Sequence, residues 1–352
     1  VTAGPAFAQV ELRGGAFIED EVTQVSAAGV TINTSDGPRT LGWDRVKRVA
    51  GEHEEHANQF ASLSDDLWRA TRRLERGDIG LAAPILERLW TAALTNQTDP
   101  QTIAGVRLAG PTGLALAEGV ASVRVAQGRL AEAVEPWTVA IALRRAITAS
   151  ASTTDTAWLD PALPPIFVRS VAVERLASTE PPTVVLDDEV ARTMFLLYRF
   201  AAARATGLET PAPVIAPTGL SDPDLRLVTD IVIMQGGNTA LIAPARARLD
   251  EVVRSQANTW REAWARAALG IADVESETTS ERLGGALELM HIPTRFASTQ
   301  PYLTGVALAW ASVALRREGD EARAAALIAE LERVAPDHPA IGWLARSAGE
   351  TR

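Results

Sequence analysis

The chain has 352 residues, a formal net charge of −10, 47% hydrophobic and 22% charged residues, and no cysteine. That balance describes a globular chain long enough for two or more domains and excludes intrinsic disorder. Without cysteine there is no disulfide, thiol nucleophile or Cys-ligated zinc; the acidic surplus argues against nucleic acid, and no apolar run reaches the roughly 18 residues of a bilayer span.

Val1–Gln9 is small and apolar, and Ala6-Phe7-Ala8 has the small-x-small pattern that precedes a secretory cleavage site. Residues 1–8 are therefore expected to be the remnant of a signal peptide, with Gln9 as the mature start. The expected location is exported, periplasmic or otherwise extracytoplasmic.

Residues 9–50 read as a small β module. Apolar and polar residues alternate, and Gly14-Gly15, Ala28-Gly29 and Asp36-Gly37-Pro38 punctuate the runs at hairpin spacing. The expected strands are 10–13, 16–25, 30–34, 38–42 and 46–49, forming a small curled sheet or barrel. The run GVTINTSDGPRTLGWDRVKRV resembles the paired middle strands and closing turn of SH3-like or Sm-like barrels. At this size the module buries too little to stand comfortably alone, so it is expected to pack on the helix that follows.

Gly51–Gln59 reads as a charged linker running into a helix. His53 and His56 lie at i, i+3, whereas a zincin pattern needs i, i+4 and a third ligand, so a solvated helix start is the simpler reading. Ser62–Arg76 is a helix with Leu63, Leu67, Ala70 and Leu74 on one stripe. At 100° per residue, Arg69, Arg72, Arg73 and Arg76 fall between about 140° and 240° from Leu67, on the opposite face. They are a solvated face neutralised by nearby acids or, in the sharper reading, partner-binding residues that receive an acidic segment.

Gly77-Asp78 ends that helix, and Ile79–Leu94 is a second one. Thr112–Gln127 and Arg129–Ile147 repeat the plan about Gly128, so residues 51–150 read as helical hairpins. Residues 151–186 are a Pro/Ser/Thr-rich connector in which only Phe167–Ala177 reads as helix. A connector this long is usually functional or a domain joint. Its Trp158, in WLDPALPPIF, fits a core poorly and is a second partner-binding candidate.

Residues 187–352 read as another hairpin array, with helices at 187–206, 222–235, 239–255, 258–273, 279–290, 301–317 and 320–334 and a short cap at 339–347. Gly236-Gly237-Asn238 is a turn and not a phosphate loop, since no strand precedes it and no Gly-Lys-Ser/Thr follows. Seven tryptophans fall on helices (Trp68, Trp90, Trp137, Trp260, Trp264, Trp310 and Trp343) and are expected mainly as core wedges.

Gly305–His338 shows the plan best. Small Ser312, the turn Gly319, small Ala324, bulky Ile328 and closing Pro336 resemble a tetratricopeptide repeat. Ala121, Gly128, Ala133 and Trp137 occupy the same relative places as Ser312, Gly319, Ala324 and Ile328. It departs from the family at Leu315, where an aromatic is expected, and at Trp310, two places late. The fold class is therefore mainly α, a helical-hairpin solenoid preceded by a small β-sheet or barrel.

The resemblance implies a scaffold and names no ligand. The leading functional expectation is a non-enzymatic exported scaffold or adaptor that binds a protein or peptide through a helical-repeat groove. The alternative is an extracytoplasmic hydrolase or glycan-binding protein, with Asp65 and Asp66, or Asp187, Asp188 and Glu189, as candidate carboxylates; at helix starts these more simply favour the helix dipole. The sequence points to no catalytic residue, metal or cofactor.

Overall fold

The computed structural model describes residues 9–95, 107–151, 163–208, 223–236 and 239–350. They contain six strands and fifteen helices, and the chain divides into two compact units. One comprises residues 1–127, 133–161 and 182–191; the other comprises 128–132, 162–181 and 192–352.

The first unit opens with β1 (Val10–Leu12), β2 (Phe17–Ile18), β3 (Glu21–Ser26), β4 (Gly29–Thr34), β5 (Gly37–Leu41) and β6 (Val46–Val49). They make two antiparallel three-stranded sheets, β2-β1-β6 and β3-β4-β5, and among the described residues they do not close into a barrel. The expected single strand 16–25 is broken at Glu19-Asp20, because its first half pairs with β1 and its second with β4.

Helices cover what the sheets leave open. In α1 (Glu54–Asn58) and the turn before it, His56 and His53 bring Nε2 within 3.1 Å of Val25 O and 3.0 Å of Val22 O. Both imidazoles thus satisfy carbonyls on the edge strand β3, which would otherwise invite another strand. Trp43 stacks on Phe60 with centroids 5.0 Å apart and donates its indole N–H to Ser26 O at 2.8 Å. Its backbone amide bonds Thr112 Oγ1 at 3.0 Å, and that hydroxyl donates to Ala28 O at 2.9 Å. Thr112 belongs to α4 (Gly110–Ala126), and Ser64 of α2 (Ala61–Glu75) donates to Val46 O. The β module therefore packs on α2, as expected, and on α4 as well.

The hairpin plan is observed. α2 and α3 (Ile79–Thr95) pack as a pair, and α4 is followed by α5 (Leu130–Ala151). Gly77 ends α2 in the left-handed conformation, with its N–H to Leu74 O and the Asp78 N–H to Arg73 O. Gly319 repeats the arrangement, with N–H bonds from Gly319 to Arg316 O and from Asp320 to Leu315 O. This six-to-one, five-to-two cap needs a positive φ that glycine alone adopts without strain.

Past α5 come α6 (Val171–Ser178), α7 (Thr183–Leu186) and α8 (Glu189–Thr206). The remaining helices are α9 (Pro223–Met234), α10 (Thr239–Ser255), α11 (Trp260–Val274), α12 (Thr279–Arg295), α13 (Pro301–Arg317), α14 (Glu321–Val334) and α15 (Pro339–Glu350). α12 runs five residues beyond its expected end, with Pro293 in its last turn.

The second unit is layered. α9 packs on α11 and α11 on α13, forming an inner row; α10, α12 and α14 pack outside it. The inner helices are buried on most sides, whereas α14 buries only Ala324 and Leu331. A helix buried on most sides must be covered on both faces.

Candidate functional site

Leu163-Pro164-Pro165-Ile166-Phe167-Val168 adopts neither helix nor strand, yet all six residues are buried. Buried backbone groups out of reach of water need partners, and the two prolines remove two donors, so carbonyls are in surplus. Side chains of the second unit meet part of that surplus, at Leu163 and Pro165, and bond the backbone again at Val168 and at the exposed Arg169. The Tyr198 hydroxyl of α8 donates to Leu163 O. Gln235 Nε2, one residue past α9, donates to Pro165 O at 2.6 Å. The Val168 backbone hydrogen-bonds the Tyr302 hydroxyl of α13, and Arg346 Nη2 of α15 donates to Arg169 O at 2.7 Å.

These contacts read main chain rather than side chain. Tyr198 and Tyr302 are the two tyrosines of the chain, and both are spent on this segment. Burial pushes the Tyr198 hydroxyl well above its ordinary pKa, and pushes Tyr302 up against a smaller opposing effect of the Val168 bond, so both stay uncharged. Phe167 meets the Tyr198 ring edge-on, with centroids 6.3 Å apart. The segment lies in the second unit as an irregular peptide with a bend at Pro165, two of its carbonyls anchored by side chains and its apolar side chains buried.

The arginine stripe is drawn into local pairs. Arg69 bonds Asp66, whose other carboxylate oxygen takes Arg88 Nη2 at 2.5 Å. Arg72 pairs with Glu75 at 2.6 Å, and both are half exposed. Arg73 Nη1 donates to Leu81 O at 2.8 Å, and Arg76 is exposed at the C-cap of α2. The four side chains share a face but converge on no common point of bonding. Trp158 lies outside the described residues.

The candidate carboxylates take structural partners. Asp65 pairs with Arg13, which also bonds Ser64. Asp188 accepts Arg145 Nε at 2.9 and 3.1 Å and caps α8 by accepting the Ala191 N–H at 2.9 Å. Asp187 and Glu189 are exposed. Asp187 and Asp188, with Ala142, Leu143, Arg145, Ala146, Thr148 and Val184, line an open cavity of about 600 Å³ in the first unit. Its one bonded charge pair is already matched, Arg145 against Asp188.

Among the described residues, no group of three or more His, Asp or Glu side chains is arranged to hold a metal ion, and no helix is long and apolar enough to cross a membrane.

Sequence reasoning passed over Tyr198, Gln235, Tyr302 and Arg346. One local signal was present: Pro164-Pro165 is flanked by Leu163 and Ile166-Phe167-Val168, a run too apolar for a solvated loop. Set beside protein-family models, curated proteins and solved structures, the chain matches none of them.

Proposed function

We propose that the chain is an exported, non-enzymatic scaffold of the tetratricopeptide-repeat type that binds an extended protein segment in the groove of its second unit. The observation that carries this reading is the Leu163–Val168 segment, buried and held through its main chain by side chains of α8, α13 and the α9 end, with α15 bonding the exposed Arg169 that follows. A site that already holds one irregular apolar segment through its main chain has the hydrogen-bond donors to hold another of similar chemistry. The glycine-capped hairpins and the Gly305–His338 unit support the repeat type. On the same reading, β1–β6 is a module of SH3-like or Sm-like kind in its paired middle strands, fixed to α2 and α4.

The test is a peptide-display selection on the chain with residues 163–168 replaced by a six-residue Gly-Ser stretch. The proposal expects enrichment of extended apolar sequences whose binding is weakened by Gln235→Ala. A folded, opened chain that enriches no sequence rejects it.

A further inference from the structure

Resting on that peptide-binding reading, we infer that Leu163–Arg169 is the groove's own ligand, an intramolecular occupant that an extended, proline-containing apolar segment displaces. A core segment ordinarily has its backbone satisfied by helix or strand. This one has no secondary structure, and four of its seven residues are anchored through the backbone by side chains from four different places in the unit.

The chemistry defines the class of competitor. Tyr198, Gln235 and Arg346 each give a proton to a carbonyl, at Leu163, Pro165 and Arg169. Pro164 and Pro165 bring no N–H, so the groove needs no acceptor opposite them, and proline holds the backbone extended before binding. Discrimination then rests on the buried Leu163, Ile166, Phe167 and Val168 side chains, with the Phe167 ring against Tyr198. The competitor is therefore a Leu-Pro-Pro-Ile-Phe-Val-like segment, without acidic residues among its central positions.

The tether sets the regulation. An occupant joined to its groove by the chain acts at an effective concentration of about a millimolar, so a free segment binds the intact protein more weakly than an emptied groove. Leu163–Arg169 is thereby an autoinhibitory ligand, and whatever draws it out exposes the site.

Polarisation of a labelled peptide, Leu-Pro-Pro-Ile-Phe-Val-Arg, titrated with the intact chain and with the Gly-Ser-replaced chain, tests this. The replaced chain should bind at least about tenfold more tightly than the intact one, and adding Gln235→Ala should weaken it by about fivefold. A replaced chain that keeps its helical dichroism and cooperative melt, yet binds the peptide no better than the intact chain, overturns the inference. If that chain enriches other peptides in the display selection, only the inference fails; if it enriches none, the scaffold reading fails too. Should the replaced chain not fold, amide exchange in the intact chain decides. Release of Ile166, Phe167 and Val168 while α11 and α13 stay protected supports the inference, and exchange only with global unfolding overturns it.

Discussion

The imidazole of His338 lies against Gly305, where a methyl group would sit 2.6 Å from the ring's Cδ2 and Nε2. The ring is fixed at both nitrogens. Nε2 is 3.0 Å from Tyr302 O, and Nδ1 accepts the Ala340 N–H at 3.1 Å. Only the neutral tautomer with its proton on Nε2 satisfies both bonds. The first and last residues of the Gly305–His338 repeat unit are thus in contact, and helix α13 needs glycine there because the ring occupies the space of a side chain.

Protonation of His338 follows from that geometry. Burial pushes its pKa down to about 4, against a smaller opposing effect of the Tyr302 carbonyl. The unfolded chain therefore takes up the proton first. Stability should be level above about pH 6.5 and fall as pH drops from there towards 4, by about 3 kcal/mol from this group. Urea unfolding between pH 7.5 and 4 checks it, and His338→Gln should flatten the part of the slope due to His338. Gly305→Ala should cost about 1–3 kcal/mol at pH 7 by displacing the ring.

Helices α11 and α12 cross at two glycines. A methyl at Gly285 would lie 2.6 Å from Gly270 O and 2.8 Å from Val274 N, both of them backbone that cannot move aside alone. Gly284, the preceding residue, has nothing within 4 Å of that position. Gly285→Ala should destabilise by about 2–3 kcal/mol, whereas Gly284→Ala should be neutral or stabilise by up to about 1 kcal/mol through helix propensity. Thermal melts of the two variants read this out.

Glu262 is buried beneath α12. It accepts Arg266 Nε at 2.7 Å, Arg295 Nη1 at 2.5 Å and the Asn258 amide at 2.6 Å, which holds Asn258 at a φ of 63°. Burial pushes its carboxyl pKa up, but the bonds from Arg266, the Asn258 amide and Arg295 outweigh that and hold it below the usual 4.5. Its stabilisation is present above that pH and fades as pH falls below it. Glu262→Ala should cost about 1–3 kcal/mol by removing a buried carboxylate that accepts three donors, though Arg266 keeps Glu288 and Arg295 reaches solvent, with Glu262→Gln costing less; chemical denaturation at pH 7 measures both.

The arginines of α2 should separate into two kinds. Arg72 has an exposed partner and Arg76 is exposed, so Arg72→Gln with Arg76→Gln should change stability by less than about 1 kcal/mol. Arg69 and Arg88 share the buried Asp66, so removing both should cost about 3 kcal/mol. Parallel melting curves distinguish the pairs.

Much of the helical order is legible in the sequence because its signals are local. Leu63, Leu67 and Ala70 recur on one face and are buried, and Gly77 falls where the helix must turn left-handed. A further local signal lay unused: Pro84 and Pro244, each inside the second helix of a pair, both stand seven residues past a glycine, Gly77 and Gly237. The open pair of β-sheets is not legible, since alternation at 16–25 fixes strand character but not that Glu19-Asp20 divides two pairings. The groove is least legible of all. Tyr198, Gln235 and Arg346 stand 35, 70 and 177 residues from the carbonyls they bond, and no periodicity relates positions that far apart. The two histidines at i, i+3 read as a solvated helix start, and both stay partly exposed; that their rings also meet β3 carbonyls depends on how α1 packs against the sheet.

A peptide-binding groove in the second unit is tested most directly by calorimetric titration of the chain opened at 163–168 with Leu-Pro-Pro-Ile-Phe-Val-Arg. The account predicts saturable one-to-one binding that Gln235→Ala weakens by about fivefold, the loss of one buried hydrogen bond to a carbonyl. A folded opened chain that shows no saturable heat with this peptide and enriches no other in display selection, or binding that Gln235→Ala leaves unchanged, would contradict it.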